Sequence, residues 1–149
     1  MTVNPQAASR ASQAPTGYQM KRRSPAAAWI GLPLITLGIY YFVWYAKIHR
    51  ELGEFDPRYS GSSPAGAVCS QLFGGFTLGI WTLINIAGTA GRIANAQRAA
   101  GLTPSCGGGV AILLCFLFGT HVIYFQSNLN KITDAYREVP EGEPVQLRA

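Results

Sequence analysis

Three long stretches of the chain contain no Lys, Arg, Asp or Glu. They lie between residues 25 and 46, 60 and 91, and 99 and 130, and His121 is the only side chain in them that titrates near neutral pH. A bilayer core about 30 Å thick needs about 20 mostly apolar helical residues. The pattern therefore predicts three transmembrane helices, at about 26–46, 65–91 and 107–128. Gly74, Gly75 and Asn85 make the second the weakest of the three.

Composition favours the same interpretation. The chain is 48% hydrophobic and 13% charged, whereas about 25% of the residues in an ordinary soluble domain are charged. Lys21, Arg22 and Arg23 precede the first stretch, as in a secretory signal peptide. That stretch is too long for the apolar region of a signal peptide, and no small-residue cleavage site follows it. Trp29 and Trp44 suit the two interfaces of a retained span.

The two ends differ from the middle. Residues 1–20 are rich in Ala, Ser, Gln and Pro, which predicts a disordered N-terminal arm. Residues 134–149 carry two prolines and several glutamates, which predicts a solvated C-terminal tail. The expected fold is therefore an all-α integral membrane protein, with a three-helix membrane domain over 21–133.

Charge gives the expected location. Six Lys or Arg side chains fall on each side of a three-span topology, so the positive-inside rule is tied. The Lys21–Arg23 cluster beside the first span favours a cytoplasmic N-terminus in a multi-pass protein of the bacterial inner membrane. The net charge of +5 does not indicate nucleic acid, because most of the positive charge lies at the ends of the predicted spans, where anionic lipid explains it. The lipid bilayer is the expected partner.

The segment Thr-Leu-Gly-Ile occurs twice, at 36–39 and 77–80. In membrane helices, a small residue such as Gly38 or Gly79 lets a neighbouring backbone approach, and a Thr hydroxyl can bond a carbonyl one turn earlier. Gly75 and Gly79 also form a GxxxG pair. Both copies therefore predict helix packing, either inside a three-helix bundle or between two copies of the chain.

Residues that would carry catalysis or bind a metal are not grouped in the sequence. Cys69, Cys106 and Cys115 have no metal-binding spacing, and the glycines at 107–109 lack the Lys-Ser/Thr of a phosphate loop. Because no acidic residue lies within the predicted spans, His121 is expected to be a neutral histidine, bonded to a neighbouring helix or near the interface, and not part of a proton relay. These observations predict a protein that is not an enzyme and needs no cofactor.

Several motifs resemble the domain of unknown function 4234 family of small bacterial multi-pass membrane proteins. They are "KRRSP", "LITLGIYYFVWYAKIHREL", "GRIANAQRAAGL" and "YFQSNLNKI", which together cover residues 21–133. The resemblance implies a membrane protein with no assigned activity. The residues that carry this resemblance or the small-residue packing are Thr36, Gly38, Tyr40, Trp44, Glu51, Gly75, Gly79, Arg92, Gln97, Gln126, Leu129 and Asn130.

A three-span topology brings the C-terminal ends of the first and third helices together. We therefore expect Trp44 and Glu51 near Gln126 and Asn130, with Glu51 paired to Lys131 or to Lys47. Arg92 and Gln97 are expected at the opposite pole, where Gly101 ends the second helix. The expected function is that of a structural or accessory subunit or scaffold that self-associates or joins a larger membrane complex. The alternative is a component of an oligomeric pore or small-solute transporter.

Overall fold

The predicted spans are divided into shorter helices. The computed structural model describes residues 15–36, 38–59, 63–74 and 79–148. Across these ranges, every helix is too short or too polar to cross a bilayer. The prediction of three transmembrane helices is therefore wrong, as is the multi-pass cell-membrane location based on it. Each uncharged stretch is long enough to cross a bilayer core as one straight helix, but the chain reverses direction inside each stretch.

Six α-helices and one pair of strands form the described structure. A π-helical turn, Ala27–Gly31, leads into the first α-helix, and a 3₁₀ turn, Pro57–Tyr59, follows the second. The helices are α1 (Leu32–Ile35), α2 (Ile39–Phe55), α3 (Pro64–Gly74), α4 (Ile80–Ala99), α5 (Gly108–Phe116) and α6 (His121–Ala135), and the strands are β1 (Thr16–Tyr18) and β2 (Pro144–Gln146).

A left-handed glycine interrupts each uncharged stretch. The φ angles of Gly38, Gly79 and Gly119 are +87°, +78° and +69°. Gly38 and Gly79 directly precede α2 and α4. A side chain in this conformation clashes with the backbone, so glycine is strongly favoured there. The glycine of each Thr-Leu-Gly-Ile copy, Gly38 or Gly79, therefore lies where the chain reverses.

The two arms on either side of each glycine run antiparallel. In the first hairpin, the guanidinium of Arg23 reaches Glu51 near the end of α2. In the second, Gly74 lies directly against Thr82, so that no Cβ could fit between them. In the third, the backbone N–H of Gly107 donates to the hydroxyl of Tyr124. These contacts define three helical hairpins, at 27–55, 64–99 and 108–135.

All three hairpin turns lie at the same end of the molecule. The hydroxyl of Tyr41 in the first hairpin accepts a hydrogen bond of 2.7 Å from Gln71 in the second. The indole N–H of Trp29 donates to the carbonyl of Phe118, 3.1 Å away in the turn of the third. We call this the apolar end, and we call the opposite end, with the strands, residues 56–59 and the connection 100–106, the polar end.

The terminal segments pack onto the polar end. β1 pairs antiparallel with β2, with Gly17 opposite Val145. The buried side-chain amide of Gln19 donates to the carbonyls of Thr133 and Tyr136. The expectation of an all-α fold is therefore wrong, because the segments expected as a disordered arm and a solvated tail contain the two strands. Residues 1–14 lie outside the described ranges.

The end of α4 follows the sequence prediction. Gly101 has a φ of +74°, and its N–H donates to the carbonyl of Arg98. The N–H of Leu102 donates to the carbonyl of Gln97 at 2.8 Å. These two bonds form a Schellman motif, so the predicted role of Gly101 in ending the helix is confirmed.

Candidate interaction surface

A buried chain of hydrogen bonds joins the first and third hairpins. The indole N–H of Trp44 donates to the side-chain carbonyl of Gln126 at 2.8 Å, and the Gln126 amide donates to Asn130 at 3.0 Å. Asn130 in turn donates to the backbone carbonyl of Arg23 at 2.7 Å. Trp44 and Gln126 are fully buried, and Leu129 packs in the same core. The predicted contact between Trp44 and Gln126 is confirmed.

Glu51 has a different partner from the one predicted. Both of its carboxylate oxygens accept hydrogen bonds from the guanidinium of Arg23, one of them at 2.9 Å. The side chains of the pair are only 12% and 13% exposed. The hydrogen bond to Glu51 raises the pKa of Arg23 above its usual value. The predicted pairing with Lys131 or Lys47 is therefore wrong, because the N-terminal arm of the hairpin brings Arg23 alongside α2.

Gln97 lies at the same end as Asn130, not at an opposite pole. Its side-chain carbonyl accepts from the N–H of Ser105 at 2.7 Å, and its amide donates to Asn128 at 3.1 Å. Lys131 donates to the hydroxyl of Ser105 at 2.9 Å. The turn at 100–106 therefore ties α4 to α6, and all of these residues belong to the polar end.

Arg92 forms part of a polar group between α2 and α4. Its guanidinium lies 2.9 Å from Nδ1 of His49. The hydroxyl of Thr89 lies 2.7 Å from that of Tyr45 and 3.2 Å from Nε2 of His49. Burial, and then the nearby Arg92 charge, lower the pKa of His49 to about 4. His49 is therefore neutral at physiological pH.

A second polar group joins all three hairpins close to the apolar end. Tyr41 accepts from Gln71, and its hydroxyl lies 3.4 Å from Nε2 of His121. Burial lowers the pKa of His121 to about 4. The predicted neutral histidine bonded to a neighbouring helix is therefore confirmed. Tyr41 and Gln71 were not chosen from the sequence; the available signal was that Gln71 and His121 are isolated polar residues in apolar stretches.

The remaining predicted packing residues act in the turns. The hydroxyl of Thr36 accepts from the N–H of Tyr40, 2.9 Å away in the first turn of α2. Among the described residues, apart from the chain neighbours of each glycine, no atom lies within 4 Å of the position that a Cβ would occupy on Gly38 or Gly79. Within the described hairpins these glycines therefore do not make room for a neighbouring backbone, and the predicted packing between two copies of the chain stays a prediction. Gly75 lies outside the described residues.

The apolar end carries a concentrated set of exposed hydrophobic side chains. Of the sixteen exposed large hydrophobic residues in the described ranges, fifteen lie in the three hairpins, and Tyr18 is the other. Phe118 is 85% exposed, Ile35 79% and Phe116 74%. The fifteen residues are Ile30, Leu34, Ile35, Ile39, Val43, Leu72, Phe73, Ile80, Trp81, Ile84, Val110, Leu113, Phe116, Leu117 and Phe118.

Exposed apolar patches of this kind mark interaction surfaces. In the described ranges, no group of three His, Cys, Asp or Glu side chains is placed to hold a metal ion. Fold and surface together define a small protein of three helical hairpins with one apolar and one polar end.

Comparison with known proteins gives the family. Residues 24–95 match the profile of the domain of unknown function DUF4234, and this part of the chain belongs to that family. The resemblance inferred from the sequence motifs is thus confirmed over these residues, which comprise the first two hairpins except the last four residues of α4. No curated protein and no solved structure matches the chain.

Proposed function

We propose that the protein is a non-catalytic accessory subunit or scaffold that binds its partner through the apolar end. The observation that carries this proposal is the gathering of exposed hydrophobic side chains on three neighbouring hairpin turns. Burying an apolar surface contributes about 25 cal/mol per Å². Binding through this surface is therefore favoured over leaving it in water.

Buried hydrogen bonds between the hairpins support the proposal by making the arrangement of the hairpins rigid. Trp44, Gln126 and Asn130 link the first hairpin to the third, and Gln97 links the second to the third. Buried polar networks whose members are bonded favour one arrangement of the elements that they join. The three turns are thereby held side by side as one surface.

Site-directed photocrosslinking tests this function. A photoreactive amino acid replaces Ile35, Phe73 or Phe118 at the apolar end, and Glu138 at the polar end provides the control. We expect crosslinks to a partner, whether protein or lipid, from the three apolar positions and not from Glu138. Crosslinks from Glu138 alone, or from none of the four positions, would refute the proposal. Passage of small solutes through vesicles that contain the purified protein would instead favour the pore alternative.

A further inference from the structure

An open cavity with a basic lining lies alongside α2, between Tyr40 near the first turn and Glu141 at the polar end. Its volume is about 370 Å³, and its wall includes the alanines at 27 and 28 together with Tyr40. Its charged lining residues are four cations and two anions: Lys21, Arg23, Lys47, Arg50, Glu51 and Glu141. The cavity therefore carries an excess of positive charge.

Two of the cations are already neutralised. Arg23 is paired with Glu51, and Lys21 lies 3.1 Å from Glu141. Arg50 makes an exposed contact of 3.5 Å with Glu54, and such surface pairs contribute little. The ammonium of Lys47 forms no ion pair with any described residue. Lys47 and Arg50 therefore leave the cavity able to accept an anion.

The distances along α2 place this positive charge just above the apolar surface. Val43 is the last exposed hydrophobic residue of α2, five residues or about 8 Å from Gly38 in the turn. Lys47 follows about 6 Å further along the helix. One leaflet of a bilayer core is about 15 Å thick, with the headgroups immediately outside it. Apolar turns inside the leaflet would thus bring Lys47 and Arg50 to the level of the phosphates.

Some of the polar groups near the turns have partners within the protein. The hydroxyl of Tyr41 accepts from the Gln71 amide and lies near Nε2 of His121, whereas Oε1 of Gln71 and Nδ1 of His121 have no hydrogen-bond partner among the described residues. The N–H groups of Ile39 and Tyr41 donate to the carbonyls of Thr36 and Gly38. Backbone and side-chain groups need such partners wherever they enter hydrocarbon.

We infer that the apolar end inserts into one leaflet of an anionic lipid bilayer, with Lys47 and Arg50 binding headgroup phosphates. This inference rests on the proposed function and names the partner of the same surface. Apolar burial combined with attraction to anionic lipid is the usual basis of binding to one face of a membrane. No helix has to cross the bilayer.

Vesicle flotation of the full-length protein tests this inference. The protein is mixed with vesicles of phosphatidylcholine alone, or of equal parts phosphatidylcholine and phosphatidylglycerol. We expect stronger partition to the anionic vesicles. Because one basic residue near an anionic surface contributes about 1 kcal/mol, the double variant Lys47→Gln/Arg50→Gln should partition about 30-fold more weakly. The matched control, Arg98→Gln/Arg137→Gln, makes the same charge change at exposed positions of the polar end and should retain binding.

Equal partition to neutral and anionic vesicles, or equal losses in the two double variants, would overturn the inference. All four substituted side chains are exposed, so these variants should fold. A protein that binds neither type of vesicle but forms dimers through its apolar end would also overturn it. Crosslinks from Ile35, Phe73 and Phe118 to the second copy would in that case leave the proposed function standing.

Discussion

Replacing the turn glycines by alanine separates backbone strain from packing. A left-handed conformation costs a non-glycine residue about 1–2 kcal/mol. Alanine also restricts the unfolded chain, which offsets about 0.4–1 kcal/mol of that cost. Since no atom of the described residues, apart from the chain neighbours, lies within 4 Å of a Cβ on Gly38 or Gly79, no steric term is added. We expect Gly38→Ala and Gly79→Ala each to lower the free energy of unfolding by up to about 1.6 kcal/mol.

The matched control is Gly91→Ala. Gly91 lies inside α4 and also has nothing within 4 Å of a Cβ, so alanine there should raise the free energy of unfolding by about 0.5–1 kcal/mol. Denaturant unfolding followed by circular dichroism measures both the expected decrease and the expected increase in the free energy of unfolding. Gly38→Leu should cost about as much as Gly38→Ala, because the strain is in the backbone. If alanine is tolerated at Gly38 and leucine is not, glycine is needed there for packing. The explanation by a left-handed backbone at the chain reversal is then refuted.

Two further predictions concern buried polar groups. Gln126→Leu leaves the buried indole N–H of Trp44 without its acceptor and should lower the free energy of unfolding by about 2–4 kcal/mol. In a Trp44→Phe background the cost of the same substitution should be smaller by at least about 1 kcal/mol. Additive effects in this double-mutant cycle would contradict the network. The folded protein holds His49 and His121 neutral with pKa values of about 4, so the unfolded chain binds more protons between about pH 6.5 and pH 4. The free energy of unfolding should therefore decrease by about 2 kcal/mol per histidine from pH 7 to pH 5, and a flat pH profile would show that these imidazoles are not held neutral.

Local features of the sequence predicted part of this structure well. Trp44 and Gln126 were expected to lie near each other because a three-span topology brings the C-terminal ends of the first and third helices together. They do meet, although the spans themselves are hairpins. The end of α4 followed from Gly101, whose position after a helical segment is a strong signal. The family was predicted from short motifs that include these residues.

The arrangement of the hairpins could not be predicted in the same way. A stretch of 21 uncharged residues has the same composition whether it forms one straight helix or two antiparallel arms. The sign of φ at Gly38 and Gly79 decides between them, and glycine adopts either sign almost equally well. The pairing of Arg23 with Glu51 also depended on this reversal, because only a hairpin brings the N-terminal arm alongside α2.

The central claim is that the three hairpins point the same way. Their turns face the bound partner, and their open ends lie together at the polar end, away from the partner. Labelling with a membrane-impermeant maleimide tests it in vesicle-bound protein whose native cysteines are replaced by alanine. Arg98→Cys and Glu138→Cys introduce single thiols near Ala99 and Ala135, which both bond to Arg148 at the polar end. The hairpin arrangement predicts equal labelling of both thiols from outside the vesicle. Labelling of only one of them would place the two residues on opposite faces of the bilayer and contradict the account.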